Sequence, residues 1–225
     1  MIVAQEKNTD NKKLVHMIFL IIGAALVAGG VISGMIRDGG VDFGTLRYFT
    51  YLSNIVLIVS FMFLALAYDH KYRDYVCFAA TLAIVVTGLV YNFILVPISG
   101  NAPIWHDFTN FIIHFTAMVW AVINYLAFET KGKLKLKHLI IGMVFPFVYW
   151  VVFIIVGYAD PGHFYPYFFM DTQKNNFFIL VLWLLALLFV FTLIGLLTLF
   201  FDKKRGERNE NLHLNTSTKQ NNSAV

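Results

Sequence analysis

The chain has 225 residues, of which 59% are hydrophobic and only 13% are charged, and its formal net charge is +4. Soluble globular domains are about 45–50% apolar and about 25% charged, so this composition excludes an ordinary water-soluble domain. Because the chain has a single cysteine, Cys77, an internal disulfide is also excluded.

Six apolar runs follow one another along the chain, and each is long enough to cross a bilayer, which takes about 20 residues. The alternating pattern of transmembrane β-strands is absent. The sequence therefore predicts an all-α polytopic membrane protein, a bundle of six transmembrane helices. The predicted helices are Leu14–Ile36, Tyr48–Tyr68, Tyr75–Val96, Phe108–Phe128, His138–Tyr158 and Asn176–Phe200.

The predicted bundle is one domain over residues 14–200, and a polar segment flanks it on each side. Residues 1–13 are expected to form a cytoplasmic N-terminal segment. Residues 201–225 are polar and rich in Asn, Ser and Thr, so they are predicted to be a disordered cytoplasmic tail. The first apolar run is longer than the core of a signal peptide, which is about 7–15 residues, and is expected to stay as a helix.

The lysines and arginines are distributed unevenly between the two ends of the predicted helices. Fourteen of them lie in the N-terminal segment, the second and fourth loops and the tail, whereas Arg37, Arg47 and Lys174 lie at the other end. Because positively charged loops stay in the cytoplasm, both termini are predicted to be cytoplasmic. The expected location of the protein is the plasma membrane. Basic residues that flank membrane helices suit anionic lipid, so no nucleic-acid partner is expected.

Polar side chains are predicted at one depth in the outer half of the bundle. His114, in the stretch NFIIHFTAMVW, lies about 9 Å inside helix four at 1.5 Å per residue. An ionisable residue inside a membrane is by default a functional-site hypothesis. Thr50 lies about one turn inside helix two, and Tyr91 about one turn from the outer end of helix three. The sequence therefore predicts a shared polar cavity, lined by Thr50, Asn54, Asn92, Asn110 and His114.

Each of these residues also has a purely structural interpretation. Thr and Ser in membrane helices commonly bond their own backbone four residues earlier. Asn54 and Asn92 can hold helices together through interhelical hydrogen bonds. His114 can make a structural hydrogen bond of the same kind. The inner halves of the helices show no comparable polar group, and His16 and His138 are expected to be interfacial.

Three short segments, in chain order, resemble the androgen-inducible and androgen-dependent-regulator family of six-helix membrane proteins and its bacterial relatives. RYFTY, residues 47–51, is similar to the basic–aromatic–apolar–Thr–aromatic stretch of that family. NFIIH, residues 110–114, is similar to its N-x-x-x-H, and FYPYF, residues 164–168, is similar to the Y-P-aromatic motif of its long loop. The hydrophobic layout is similar over about residues 14–200.

The resemblance implies a six-helix membrane enzyme. Eukaryotic members of the family are threonine-dependent hydrolases that cleave esters of fatty acids with hydroxy fatty acids. Carried over to the matching positions, Thr50 is the nucleophile and His114 the general base. Family members often have a proline shortly after the histidine, whereas this chain has Val119 and Trp120, which predicts a straighter helix four.

The chemistry of such a pair is consistent with the residue types. A threonine hydroxyl becomes a useful nucleophile when a neighbouring base takes its proton, and a neutral histidine is the usual base. The developing oxyanion needs hydrogen-bond donors. The candidate oxyanion or substrate-binding residues are Asn54, Tyr91, Asn92, Asn110 and Tyr165. No metal or cofactor is expected, and the expected partner is a lipid or fatty-acyl ester.

Two other functions fit the same residues. In the first, the polar cavity belongs to a non-catalytic protein that binds or transports a lipid or a small solute. In the second, the polar side chains only hold the helices together. The oligomeric state does not follow from the sequence.

Overall fold

The computed structural model describes residues 2–37, 40–100, 103, 105–160 and 165–222. Within these residues, six helices are long and apolar enough to cross a membrane, so the prediction of an all-α six-helix membrane protein is confirmed. Their bounds are α1, Ile2–Met35; α2, Phe49–Leu66; α3, Arg73–Val90 continued by Tyr91–Leu95 and Val96–Ser99; α4, Phe108–Phe111 continued by Ile112–Thr116 and Ala117–Phe128; α5, Leu136–Ala159; and α6, Phe177–Asn222.

Short elements lie between the helices at one end of the bundle. Strands β1 (Ile36–Arg37) and β2 (Gly40–Val41) form a two-stranded antiparallel hairpin after α1. A 3₁₀-helix, Phe43–Arg47, leads into α2, and a second one, Phe168–Met170, lies between α5 and α6. This end carries the loops that were predicted to face outward.

Helices α3 and α4 each contain a π-helical turn, which is Tyr91–Leu95 in α3 and Ile112–Thr116 in α4. In each turn the last bond spans five residues: the N–H of Val96 bonds the carbonyl of Tyr91, and that of Ala117 bonds Ile112. The residues after His114 predict a straighter helix, but π turns are a known cause of kinks. They are also frequent at functional sites, because the extra residue redirects side chains.

The two ends of the chain differ from prediction. Helix α1 begins at Ile2, so the N-terminal segment continues the first membrane helix. Helix α6 continues to Asn222, whereas the sequence predicts a disordered tail from residue 201. The Lys and Glu residues of this segment are good helix formers, and Lys203 lies 3.9 Å from Glu207 in an i,i+4 pair. The backbone of Gly206 also packs directly on Gly132, in the loop between α4 and α5.

Helix α3 is the centre of the bundle, since it packs against α2, α4, α5 and α6. On one side, its buried Ile84 packs in a cluster with Leu57 and Phe61 of α2. On another side, its buried Phe78 packs in a cluster with Leu139 of α5 and Phe191 of α6. Helices α5 and α6 are mostly exposed along their apolar lengths, as expected for helices that face lipid. The polar residues of α3 are therefore the ones that can meet those of several other helices.

Candidate functional site

Helices α2, α3 and α4 meet at the depth that the sequence predicts. Asn54 is fully buried, and its Nδ2 donates to the carbonyl of Thr50 at 2.8 Å and to that of Ile113 in α4 at 3.0 Å. Ser53 Oγ lies 3.0 Å from Thr87 Oγ1 in α3. One turn of α2 is thus hydrogen-bonded to both neighbouring helices.

His114 lies in the π turn of α4 and is 4% exposed. Its ring stacks on Tyr91, which begins the π turn of α3, with 3.4 Å between ring centroids and 14° between planes. Among the described residues, neither His114 Nδ1 nor Asn54 Oδ1 has a hydrogen-bond partner. Buried polar atoms are seldom left unpaired, because each costs about 1–3 kcal/mol. These two atoms therefore mark a place suited to a water molecule or a polar group of a ligand.

Thr50 lies in the first turn of α2, where backbone N–H groups have no partner within the helix. Its N–H donates to the hydroxyl of Tyr167 at 3.3 Å. Tyr167 comes from the loop between α5 and α6. The pKa of Tyr167 is raised to about 12, mainly because the side chain is buried. Its hydroxyl therefore stays protonated at neutral pH.

A cavity of about 60 Å³ lies beside Thr50, between α2, α3, α5, α6 and the second 3₁₀-helix. Its polar groups are Thr50, Thr87 and Tyr167, and the rest of its wall is almost entirely apolar or aromatic. The main aromatic residues of the wall are Phe49, Tyr149, Trp150 and Phe169. The cavity thus presents hydroxyl groups on one side of an apolar chamber.

Of the five residues expected to share a cavity, only Thr50 lines this chamber. Asn54 turns instead toward α4, and His114 is covered by the ring of Tyr91. Residue spacing gives the depth of a side chain in a bundle, but not the helix that it faces. Among the described residues, no hydrogen bond joins the side chains of Thr50 and His114.

The remaining candidates bond elsewhere. Asn92 donates to the carbonyl of Gly88, four residues earlier in α3, at 2.7 Å. Asn110 is held by Asp107 at the start of α4, through its N–H at 2.8 Å and its Nδ2 at 3.1 Å. The same N–H bond holds the pKa of Asp107 below its usual value. Asn92 and Asn110 thus bond within or at the start of their own helices, whereas the alternative left open for Asn92 was a bond between helices.

Tyr165 is also placed away from Thr50. Its hydroxyl lies 2.5 Å from Thr172 Oγ1 and 3.1 Å from the carbonyl of Gly157. Tyr167, two residues later in the same FYPYF motif, is the one that contacts Thr50. Residues two apart share a face of a regular extended segment, so the bend at residues 166 and 167, and not simple alternation, decides which tyrosine faces Thr50. Phe164, the first residue of the motif, lies outside the described residues.

A second polar cluster, which the sequence did not predict, lies at the end of the bundle that carries the basic loops. His16 is 1% exposed, with Nε2 2.8 Å from Asn124 Oδ1 and Nδ1 3.0 Å from the Tyr68 hydroxyl. Beside it, Arg73 donates to both carboxylate oxygens of Glu129, at 2.8 and 3.0 Å. His16 therefore lies at the helix end where the sequence puts it, and its ring is buried among side chains of the protein.

His138 is buried as well, and its Nδ1 accepts a hydrogen bond from the N–H of Lys135 at 2.9 Å. His16 and Asn124 were visible in the sequence as polar residues inside apolar runs. Their partners were not, because they come from loops distant in the chain. Within the described residues, no group of three His, Cys, Asp or Glu side chains is placed to hold a metal ion.

Comparison with known proteins finds no match: no family model fits the chain, and no curated protein and no solved structure is similar to it. The family resemblance therefore rests on the three short motifs and the helix layout. Two of these motifs, through Thr50 and Tyr167, meet at the chamber, and the third holds His114.

Proposed function

We propose that this protein is a membrane-embedded hydrolase of lipid esters in which Thr50 is the nucleophile and His114 the general base. The observation that carries the proposal is the pair of bonds made by Asn54 Nδ2. It holds the carbonyl of Thr50 and the carbonyl that precedes His114 at once, at 2.8 and 3.0 Å. The backbone at the proposed nucleophile and the backbone next to the proposed base are thereby held by the same amide group.

In the proposed reaction, Thr50 Oγ1 attacks the acyl carbonyl while its proton passes to His114. The tetrahedral intermediate expels the alcohol, which takes the proton back from His114, and an acyl-threonine remains. Water, deprotonated by His114, then releases the fatty acid and restores Thr50. In this proposal a water molecule, bound by the unpaired Asn54 Oδ1 and His114 Nδ1, relays the proton from Thr50 Oγ1 to His114.

Tyr167 is the best candidate for an oxyanion donor. It is hydrogen-bonded to Thr50, lies on the wall of the chamber and, with its raised pKa, is a neutral donor at all physiological pH values. A donor in a largely apolar chamber is worth more than one in water. Tyr167→Phe should therefore reduce turnover by about 100-fold or more, as loss of a single oxyanion donor does in other enzymes.

The substrate class follows from the wall of the chamber. Apart from the hydroxyl groups of Thr50, Thr87, Tyr149 and Tyr167, the wall offers apolar and aromatic surface. This surface suits the first methylene groups of a fatty-acyl chain, and a chamber of about 60 Å³ leaves the rest of the chain in the surrounding lipid. An ester that arrives from the surrounding lipid would place its carbonyl at Thr50, near the membrane surface, and its acyl chain against the aromatic side chains.

One observation favours a different function, the binding or transport of a lipid without chemistry. In the described residues Thr50 and His114 make no direct hydrogen bond, and Thr50 instead bonds Tyr167. A lipid alcohol or carbonyl could occupy the same chamber and accept a hydrogen bond from Tyr167.

The deciding experiment is intact-mass analysis of the purified protein after incubation with a fluorophosphonate or an activated fatty ester. The wild type should gain one adduct, and Thr50→Ala and His114→Ala should gain none, whereas Thr50→Ser should keep part of the reaction. Ser53→Ala is the matched control, because it removes a buried hydroxyl in the same turn that does not line the chamber. An adduct on Thr50→Ala equal to that of the wild type would exclude Thr50 as nucleophile and leave the binding function.

We further propose that both termini face the cytoplasm and that the protein resides in the plasma membrane, on the basis of the unequal distribution of lysine and arginine. In a Cys77→Ser background, a cysteine placed at Trp105, which is 77% exposed between α3 and α4, should react with an impermeant maleimide added outside intact cells. Labelling of that cysteine only after the cells are opened would reverse the orientation.

A further inference from the structure

A second cavity, of about 220 Å³, lies between α3, α4 and α6 at the end of the bundle that carries the basic loops, and we call it the basal cavity. It shares no residue with the chamber at Thr50. Helix α6 packs on α3 and α5 but barely contacts α4, so a cleft stays open between α4 and α6. The inner wall is apolar and includes Phe78, Leu82, Val122 and Ile194.

The acidic group of the basal cavity is already satisfied. Asp202 is 1% exposed and accepts hydrogen bonds from the Tyr125 hydroxyl at 2.7 Å and from the N–H groups of Gly132 and Leu134 at 2.9 and 3.0 Å. Lys131 lies beside it and donates to the carbonyls of Tyr125 and Glu129. Asp202 therefore closes the cavity as a structural group and is not directed at a ligand.

The mouth of the basal cavity is positively charged. Lys131 and Arg205 line both the cavity and a wide polar groove outside it. Within the described residues, the exposed Arg205 makes no hydrogen bond or ion pair. The carboxylates of the groove are partly engaged, since Glu129 is bound by Arg73 and Glu207 lies near Lys203. Among the described groove residues, four cations then remain without a carboxylate partner, against one such carboxylate: Lys131, Lys133, Arg205 and Arg208 against Glu210.

We propose that the basal cavity binds an anionic phospholipid, with one acyl chain between α4 and α6 and the phosphate at Arg205. An apolar cleft with a cationic mouth complements an amphiphilic anion. The planar guanidinium is suited to binding two phosphate oxygens at once, and a basic cluster at this level of a membrane helix meets the lipid head groups. The site is independent of the proposed hydrolysis, because it lies at the opposite end of α3 and α4.

The test is native mass spectrometry of the delipidated full-length protein in detergent, titrated with dioleoyl-phosphatidylglycerol or dioleoyl-phosphatidylcholine. We expect one phosphatidylglycerol to bind clearly more tightly than phosphatidylcholine. Arg205→Gln should weaken phosphatidylglycerol binding by about tenfold, the loss expected for a charge-assisted hydrogen bond. It should weaken phosphatidylcholine binding less, because the choline group of that lipid already balances the charge of its phosphate. Lys204→Gln is the matched control, because it removes the neighbouring charge outside the cavity and groove and should have little effect.

A second variant tests the acyl chain. Val122→Phe should fill the cleft and weaken the binding of both lipids. If this variant does not fold, Arg205→Gln still tests the site, because Arg205 is exposed and its replacement should not affect folding. Equal affinity for the two lipids, or equal effects of Arg205→Gln and Lys204→Gln, would overturn the proposal in favour of general lipid contact. Displacement of phosphatidylglycerol by inorganic phosphate at a similar concentration would show a free-anion site and would also overturn it.

Discussion

Replacement of Asn54 by alanine should weaken the attachment of α2 to α4 and so lower the stability of the bundle. The substitution removes two donors, to the carbonyls of Thr50 and Ile113, from a residue that is fully buried. The Thr50 carbonyl keeps a second partner, Ser53 Oγ at 3.0 Å, so the bond to Ile113 is the larger loss. That bond joins two helices, and its loss should reduce the stability of the bundle.

The magnitude follows from a matched comparison with Asn92→Ala. Asn92 also donates to a carbonyl four residues earlier in its own helix, at 2.7 Å, but among the described residues it makes no second bond to another helix. The gain in helix propensity from Asn to Ala is the same in both variants and cancels. The difference is the interhelical bond, worth about 0.6 and at most about 1.7 kcal/mol in membrane proteins, plus the space left by a buried side chain. Asn54→Ala should therefore be less stable than Asn92→Ala by about 1–2 kcal/mol.

The assay is reversible unfolding of the purified variants in mixed micelles, followed by circular dichroism. The free energies of unfolding of Asn54→Ala and Asn92→Ala are compared under the same conditions. If the two variants are equally stable, or if Asn92→Ala is the less stable, Asn54 does not hold α2 to α4, and the support that it gives to the proposed catalytic pair is lost.

Two further predictions concern packing and pH. Gly88→Ala should destabilise the bundle by about 1–3 kcal/mol in the same assay, because its new Cβ would lie 2.8 Å from the carbonyl oxygen of His114. Gly29→Ala is the control and should be neutral or stabilising, since nothing lies within 4 Å of its new Cβ. Equal effects of the two substitutions would refute the close approach of α3 to α4. Asp107 has a folded-state pKa below its usual 3.8, so the stability from its cap on α4 is present above about pH 4 and is lost as the pH falls through the lower folded value. The melting temperature of wild type should exceed that of Asp107→Ala at pH 6, and the difference should shrink at about pH 3; a difference that is constant with pH would show that the carboxylate is not the capping group.

The sequence determines the membrane class, the six helices and the depth of Thr50 and His114, because a helix in lipid must satisfy its own backbone and cover itself with apolar side chains. These requirements are local, so runs of about 20 residues reveal them. The continuation of α6 beyond the membrane was missed for the opposite reason. A polar helix of that kind is stabilised by a distant contact, of Gly206 with Gly132, which composition does not record.

The tertiary structure alone decides which polar residues meet. Asn54 and Asn92 look alike in the sequence, yet one joins two helices and the other bonds its own, since rotation about the helix axis and the neighbours of each face set the outcome. Packing also decides that Tyr167 and not Tyr165 contacts Thr50. It likewise decides the partners of His16, which are Tyr68 and Asn124, 52 and 108 residues away in the chain. The π turns of α3 and α4, which bring the rings of Tyr91 and His114 together, likewise depend on the packing of the two helices. Periodicity fixes the height of a side chain along a helix, and only the packing of all six helices fixes its partner.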